Sequence, residues 1–60
     1  MVVTILVNPV TFKMKMKNLK GSYKNIDKVV ADLVPVAESF DGKSLVYTYD
    51  VTQEQFEMMK

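Results

Sequence analysis

The run Val2–Val7, with the sequence VVTILV, is the most apolar and β-prone stretch of the chain. Alternation along a strand divides its side chains between two faces, Val3, Ile5 and Val7 on one and Val2, Thr4 and Leu6 on the other. A strand that is apolar on both faces needs cover on both, or a neighbouring strand along each edge. The sequence therefore predicts that this strand lies at the centre of a sheet.

The length and composition indicate one small domain, residues 1–60, that needs reinforcement. A chain of this size buries only about 60% of its unfolded surface, and disulfides, a metal or association usually supplement such a core. The chain contains no Cys and no His, which excludes disulfides and disfavours zinc. Self-association is the remaining reinforcement, and we expect no cofactor and no metal.

Two further strands are predicted. Residues 11–17 alternate between apolar side chains and Lys, which is typical of a half-buried strand with a charged outer face. Residues 44–51 include Tyr47 and Tyr49 among Leu and Val, a composition that also favours a strand. Asn8 and Pro9 predict a hairpin turn over residues 8–10, and the alternative is one long strand bent at a bulge at Pro9.

Two helices are predicted. The first begins near Ser22 or Asn25 and carries an apolar stripe at helical spacing. The residues of that stripe are Ile26, Val29, Val30, Leu33, Val34 and Ala37. Pro35 leaves two alternatives, a helix that ends near Leu33 or a kinked helix that continues to Phe40 before Asp41 and Gly42.

A short second helix is predicted over residues 53–60. Thr52 and Gln55 have the spacing of a capping box, which marks the start of a helix. The element order is therefore β-β-α-β-α. We expect an α+β fold, with a three-stranded, mostly antiparallel sheet of order 2-1-3 covered by the first helix and supplemented by the short C-terminal helix.

The net charge of +1 conceals a strong asymmetry along the chain. Residues 1–24 contain five Lys and no acid, whereas residues 25–60 contain three Lys and seven acids. Such asymmetry indicates an anionic partner or association between unlike patches. The candidate contacts for nucleic acid or another anionic partner are Lys13, Lys15, Lys17, Lys20, Tyr23 and Lys24. The absence of Arg argues against base-specific recognition, and edge protection is the simpler explanation of these Lys residues.

The candidate oligomer interface is the second face of the sheet, together with the C-terminal helix. Its candidate residues are Val2, Leu6, Val46, Phe56 and Met59. No catalytic pair of acids and no nucleophile beside a base is present, so an enzyme is not expected. No signal peptide and no membrane span is recognisable, and we expect a cytoplasmic protein.

The sequence thus leaves two hypotheses on function. The first is a small protein–protein interaction module that associates with itself, or that binds or inhibits a larger protein. The second is weak, nonspecific nucleic-acid binding through the Lys-rich residues 13–24.

Overall fold

A computed structural model describes all 60 residues of the chain. Four strands and two short helices follow one another in the order β-β-α-β-β-α. They are β1 (Val2–Val7), β2 (Met14–Met16), α1 (Ile26–Val30), β3 (Ala37–Phe40), β4 (Leu45–Asp50) and α2 (Gln53–Met58). The strands form a single antiparallel sheet of order β2-β1-β4-β3.

The α+β class and the antiparallel sheet are thus confirmed, whereas the predicted strand number and order are wrong in detail. β1 lies in the interior of the sheet, between β2 and β4, as its two apolar faces require. The difference is a fourth strand, β3, which pairs with the outer edge of β4.

The hairpin between β1 and β2 is held by hydrogen bonds to Asn8. The side-chain Oδ1 of Asn8 accepts hydrogen bonds from the backbone N–H groups of Val10 (2.8 Å) and Thr11 (3.1 Å). The N–H of Asn8 donates to the carbonyl of Lys13 at 2.9 Å and closes the loop. The predicted hairpin is therefore present, but its loop is longer than expected, and β2 begins at Met14 rather than at residue 11.

The segment that follows α1 is where the structure overturns the prediction. α1 ends at Val30, and no kinked helix reaches Phe40, because Ala37–Phe40 is a strand. Pro35 explains the change: it disfavours helical backbone at the residue before it and cannot continue a helix ladder. The N–H of Val36 donates to the carbonyl of Thr48 at 2.7 Å, although Ala37 is the register partner of Thr48. Val36 and Ala37 thus both lie opposite Thr48, as in a β-bulge at the start of β3.

The turn at Asp41 and Gly42 joins β3 to β4 instead of ending a helix. The Oδ1 atom of Asp41 accepts hydrogen bonds from the N–H groups of Lys43 (2.9 Å) and Ser44 (2.7 Å). Gly42 has φ +95°, a backbone conformation that side-chain-bearing residues rarely adopt. The same two residues that would stop a helix therefore serve equally well as a hairpin turn.

α2 begins with the predicted capping box, which is confirmed in both directions. The hydroxyl of Thr52 accepts a hydrogen bond from the N–H of Gln55 at 3.0 Å, and the side chain of Gln55 accepts one from the N–H of Thr52 at 2.9 Å. The start of α1 differs, because the side chain of Asn25 does not cap it. Instead, Asn25 Nδ2 donates to the carbonyl of Lys60 at 3.0 Å and ties α1 to the end of the chain.

The core lies on one side of the sheet only. Both helices contribute to it, through Ile26 and Val30 of α1 and through Met59 at the end of α2. The nine buried residues are Val3, Ile5, Val7, Met16, Ile26, Val30, Tyr49, Val51 and Met59. None of them comes from the second face of β1, so neither helix covers that face.

The core predicts a sharp contrast between two neighbouring methionines. Met59 is 0% exposed, whereas Met58 is 59% exposed. Met59→Ala should lower the free energy of unfolding by about 2–5 kcal/mol, because it leaves a cavity under both helices. Met58→Ala should change it by less than about 0.5 kcal/mol. Urea unfolding followed by circular dichroism measures both, and equal losses would contradict the packing described here.

Candidate interaction surfaces

The uncovered side of the sheet is called here the open face. Its side chains are Val2, Thr4, Leu6, Lys15, Ala37, Ser39, Val46, Thr48 and Asp50. Leu6 is the register partner of both Lys15 and Val46, and it marks the middle of the face. Val2 is 66% exposed at one end, beside its partner Asp50. The open face therefore has an apolar centre, a basic side at β2 and an acidic residue at one corner.

The lysines of β2 and its flanks form a row along the open face. Lys15 lies beside Leu6 in the register of β1 and β2. Lys13 and Lys17 continue that register, since the N–H of Asn8 donates to Lys13 and the N–H of Lys17 donates to Thr4, both at 2.9 Å. Alternation therefore places all three on the same side. Lys20 and Lys24 lie in the following loop, and all five are exposed.

None of these five lysines forms an ion pair. The two ion pairs of the structure join the N-terminal amine to Asp50 and Lys60 to Glu57. The positive charge of these lysines is therefore not neutralised by a direct ion pair, although Asp27 lies in the same cleft as Lys13 and Lys24. It is concentrated along β2, which is an outer strand of the sheet.

The ring of Tyr23 is not free to stack on a nucleic-acid base. Its ring lies 5.7 Å from the ring of Phe56, and the side chain is half-buried against the core. It does meet two of the lysines, because Lys13, Tyr23 and Lys24 line one cleft of about 310 Å³. Of the candidate anionic contacts, the structure thus brings Lys13, Tyr23 and Lys24 together at the β2 edge, but the ring of Tyr23 already packs on Phe56.

The structure separates the candidate interface residues into two groups. Val2, Leu6 and Val46 lie on the open face. Met59 is fully buried in the core, and Phe56 is half-buried against it, also within 5.4 Å of the Lys60 ammonium group. Phe56 and Met59 therefore lie on the opposite side of the sheet from the other three.

Two exposed apolar features escaped the sequence interpretation. One is the tip of the first hairpin, where Val10 and Phe12 are both exposed. The other is the segment around β3, where Val34, Val36 and Phe40 are exposed. Val34, Pro35 and Val36 offered a weak signal, since β-branched residues around a proline favour extended backbone.

Charge at the outer edge of β3 is negative. Glu38 and Asp41 lie there without a basic neighbour in an ion pair. The backbone N–H groups of Ser44 and Lys43, together with the charge of Lys17, hold the pKa of Asp41 below its usual value. The two outer strands of the sheet therefore carry opposite charges.

Nowhere do three or more His, Cys, Asp or Glu side chains gather as a metal site requires. All nine buried side chains belong to the apolar core, and none is a buried charged group. No helix has the length and apolar character needed to cross a membrane.

Comparison with protein-family models, with curated proteins and with solved structures found no match.

The hairpin tip predicts a test of local strain. Phe12 is 71% exposed and has φ +60°, in the left-handed region that costs most residues about 1–2 kcal/mol. Phe12→Asn should raise the free energy of unfolding by up to about 1 kcal/mol, since Asn tolerates this conformation. Val10→Asn, at an exposed neighbour without positive φ, is the control and should change little. A loss of stability in Phe12→Asn alone would mean that the ring packs on the fold.

Proposed function

We propose that this chain is a small, non-enzymatic protein–protein interaction module that associates with itself through the open face. The observation that carries the proposal is that both helices pack on the same side of the sheet. A sheet this small, with an apolar centre on its second face, gains from covering that face. A second copy of the chain supplies cover of matching chemistry.

The layout of the open face suits a two-fold arrangement. Leu6 and Val46 are adjacent on the central strands, and Thr4 and Thr48 lie next to them. When two such faces pack together, they bury this apolar centre. The lysine row of each copy then lies over the β3 side of the other copy. Closed two-fold dimers are the commonest arrangement of homo-oligomers. A larger protein with a complementary apolar patch would use the same face.

The absence of charged side chains from the core supports a binding role over catalysis. Acid–base and nucleophilic catalysis place a polar group with a perturbed environment in a pocket. Here no buried side chain is charged, and the clefts lie against exposed lysines. Tyr49 is the one titratable side chain among the buried residues, and burial raises its pKa, so its hydroxyl stays neutral and serves as packing. The chemistry available on this chain is therefore that of surfaces, which is charge and apolar contact.

The open face predicts concentration-dependent association. Light scattering on a dilution series should give a mass near or above twice the 6.9 kDa of one chain. Leu6→Lys and Val46→Lys should each lower that mass, since each places a charge in the middle of the contact. Val10→Lys, an equally large change at the hairpin tip, should leave it unchanged. Association that Val46→Lys and Val10→Lys affect equally would contradict an open-face interface.

Nucleic-acid binding is the second candidate function, and the unpaired lysine row favours it. Lys13, Lys15 and Lys17 present their charges from one strand without acidic partners. Such a row can neutralise phosphates, and its affinity depends steeply on salt. The lack of Arg and the engagement of Tyr23 by Phe56 limit this activity to weak, nonspecific binding.

The second candidate predicts a measurable salt dependence. Changing Lys13, Lys15 and Lys17 together to Gln should weaken binding to random DNA and reduce the salt slope by roughly one unit per lost phosphate contact. The matched control removes three lysines outside this row, Lys28, Lys43 and Lys60, and should have a smaller effect. Fluorescence anisotropy measures both. If the native chain does not bind at about 50 mM salt, where such contacts are strong, this candidate is excluded.

A further inference from the structure

The outer edge of β2 offers unpaired backbone groups. The main-chain bonds from Asn8 to Lys13 and from Lys17 to Thr4 show that the odd-numbered residues of this strand face β1. In an antiparallel ladder the alternate residues point the other way. The N–H and C=O groups of Met14 and Met16 therefore point away from the sheet, where no further strand follows.

The outer edge of β3 is unpaired in the same manner. The N–H of Asp41 donates to Ser44 at 3.1 Å, and Ser39 is the register partner of Val46. Asp41, Ser39 and Ala37 therefore face β4, whereas Glu38 and Phe40 point their backbone groups outward. Phe40 is 60% exposed, so its side chain also lacks a partner.

Strand direction makes these two edges compatible with each other. Every neighbouring pair in the sheet is antiparallel, so β2 and β3, at opposite ends of the order, run in opposite directions. A second copy placed beside the first in the same orientation therefore brings its β2 antiparallel to the first copy's β3. Both copies then keep their helices on the same side of one continuous sheet.

We propose that β3 of one copy pairs with β2 of a second copy, and that the opposite charges of these two edges select this pairing. This contact uses the edges of the sheet, so it goes beyond the open-face contact and does not depend on it. Main-chain hydrogen bonds provide the attraction, as in other cases of strand addition. The charges on the two edges determine which edges meet.

Side-chain placement fixes the register. Met14 and Phe40 both lie on the helix-covered side, as do Met16 and Glu38. The partners of the two methionines are core residues, and the partners of Phe40 and Glu38 are half-buried against the core. Pairing Met14 with Phe40 also pairs Met16 with Glu38. On the open face, the same register sets Lys13 opposite Asp41 and Lys15 opposite Ser39. One slip by a single residue would exchange the two faces.

A groove beside β2 can receive the exposed aromatic ring. The cleft of about 310 Å³ at Lys13 and a second of about 250 Å³ at Lys15 share Met14, Tyr23 and Ile26. Together they run along the outer side of β2, on the side of the helices. In the proposed register the Phe40 side chain of the neighbouring copy enters this groove beside Met14.

The two symmetric alternatives lack this complementarity. Pairing β2 with a second β2 sets Lys15 opposite its own copy and Lys13 opposite Lys17, and directly opposed like charges destabilise a strand pair. Pairing β3 with a second β3 leaves the groove beside β2 empty and the lysine row unneutralised. The unlike pairing is also open-ended, since each added copy presents a new β3 edge.

Mixing two variants, each blocked at a different edge, tests this pairing. All chains carry Val46→Lys, which removes the open-face contact and faces only the uncharged Leu6 and Ser39 within the sheet, so that both edges stay intact. Lys13→Glu with Lys15→Glu blocks the β2 edge by opposing Asp41 with a like charge. Glu38→Pro blocks the β3 edge, because it removes an outward N–H that β4 does not use. Circular dichroism checks folding, and Phe40→Pro, which removes the other outward N–H, replaces Glu38→Pro should that variant not fold.

Analytical ultracentrifugation should show the parent Val46→Lys chain growing beyond a dimer as its concentration rises. Each blocked variant alone should need at least about tenfold more protein to associate. Their equimolar mixture should form a species of twice 6.9 kDa and stop there, because one native junction remains and both outer edges are blocked.

Three results would overturn the pairing. The first is a parent chain that stays monomeric up to millimolar concentration. The second is undiminished association of either blocked variant alone, which indicates a symmetric edge contact. The third is a mixture that behaves as two separate monomers. None of these results bears on the open-face proposal, whose own test compares Leu6→Lys and Val46→Lys with the native chain.

Discussion

The fold depends on one strand that must be paired on both edges and covered on at least one face. β1 is apolar at five of its six positions, and it obtains a neighbour on each side from β2 and β4. Both helices then pack against Val3, Ile5 and Val7, and these buried side chains form much of the core. The remaining elements are arranged around this requirement, including the tie between Asn25 and the carbonyl of Lys60.

A chain of 60 residues can satisfy that requirement only on one side. α1 and α2 are a turn or two long, too short to be stable alone, so they must share one core to be held in place. One helix on each face would have divided the available apolar contacts between two layers, each too small to hold its helix in place. The open face is thus the consequence of concentrating the core, and a surface of this kind is what a partner can complete.

The sequence predicts this fold well where a local signal has a single meaning. The apolar run of β1 and the reciprocal bonds of Thr52 and Gln55 are such signals, and each appears in the structure. The segment after Val30 fails because the apolar residues that follow have helical spacing but are interrupted by Pro35. These residues form a strand because they pair with the free edge of β4, which is distant in sequence, and no local pattern predicts this pairing. The basic edge at β2 follows from the alternation of Lys along residues 11–17 and is present in the structure, whereas the acidic edge at β3 was beyond prediction from local patterns.

The charge asymmetry along the chain acquires a meaning only in three dimensions. The basic first part of the sequence supplies β2 and the acidic second part supplies β3, and the order of the strands places them at opposite ends of the sheet. Lysines on an outer strand usually prevent sheets from joining edge to edge. That protection acts against a second basic edge, but it becomes attraction toward an acidic one. In the pairing that we propose, edge protection and selective association therefore have the same physical cause, and the sign of the opposing edge determines which of the two results.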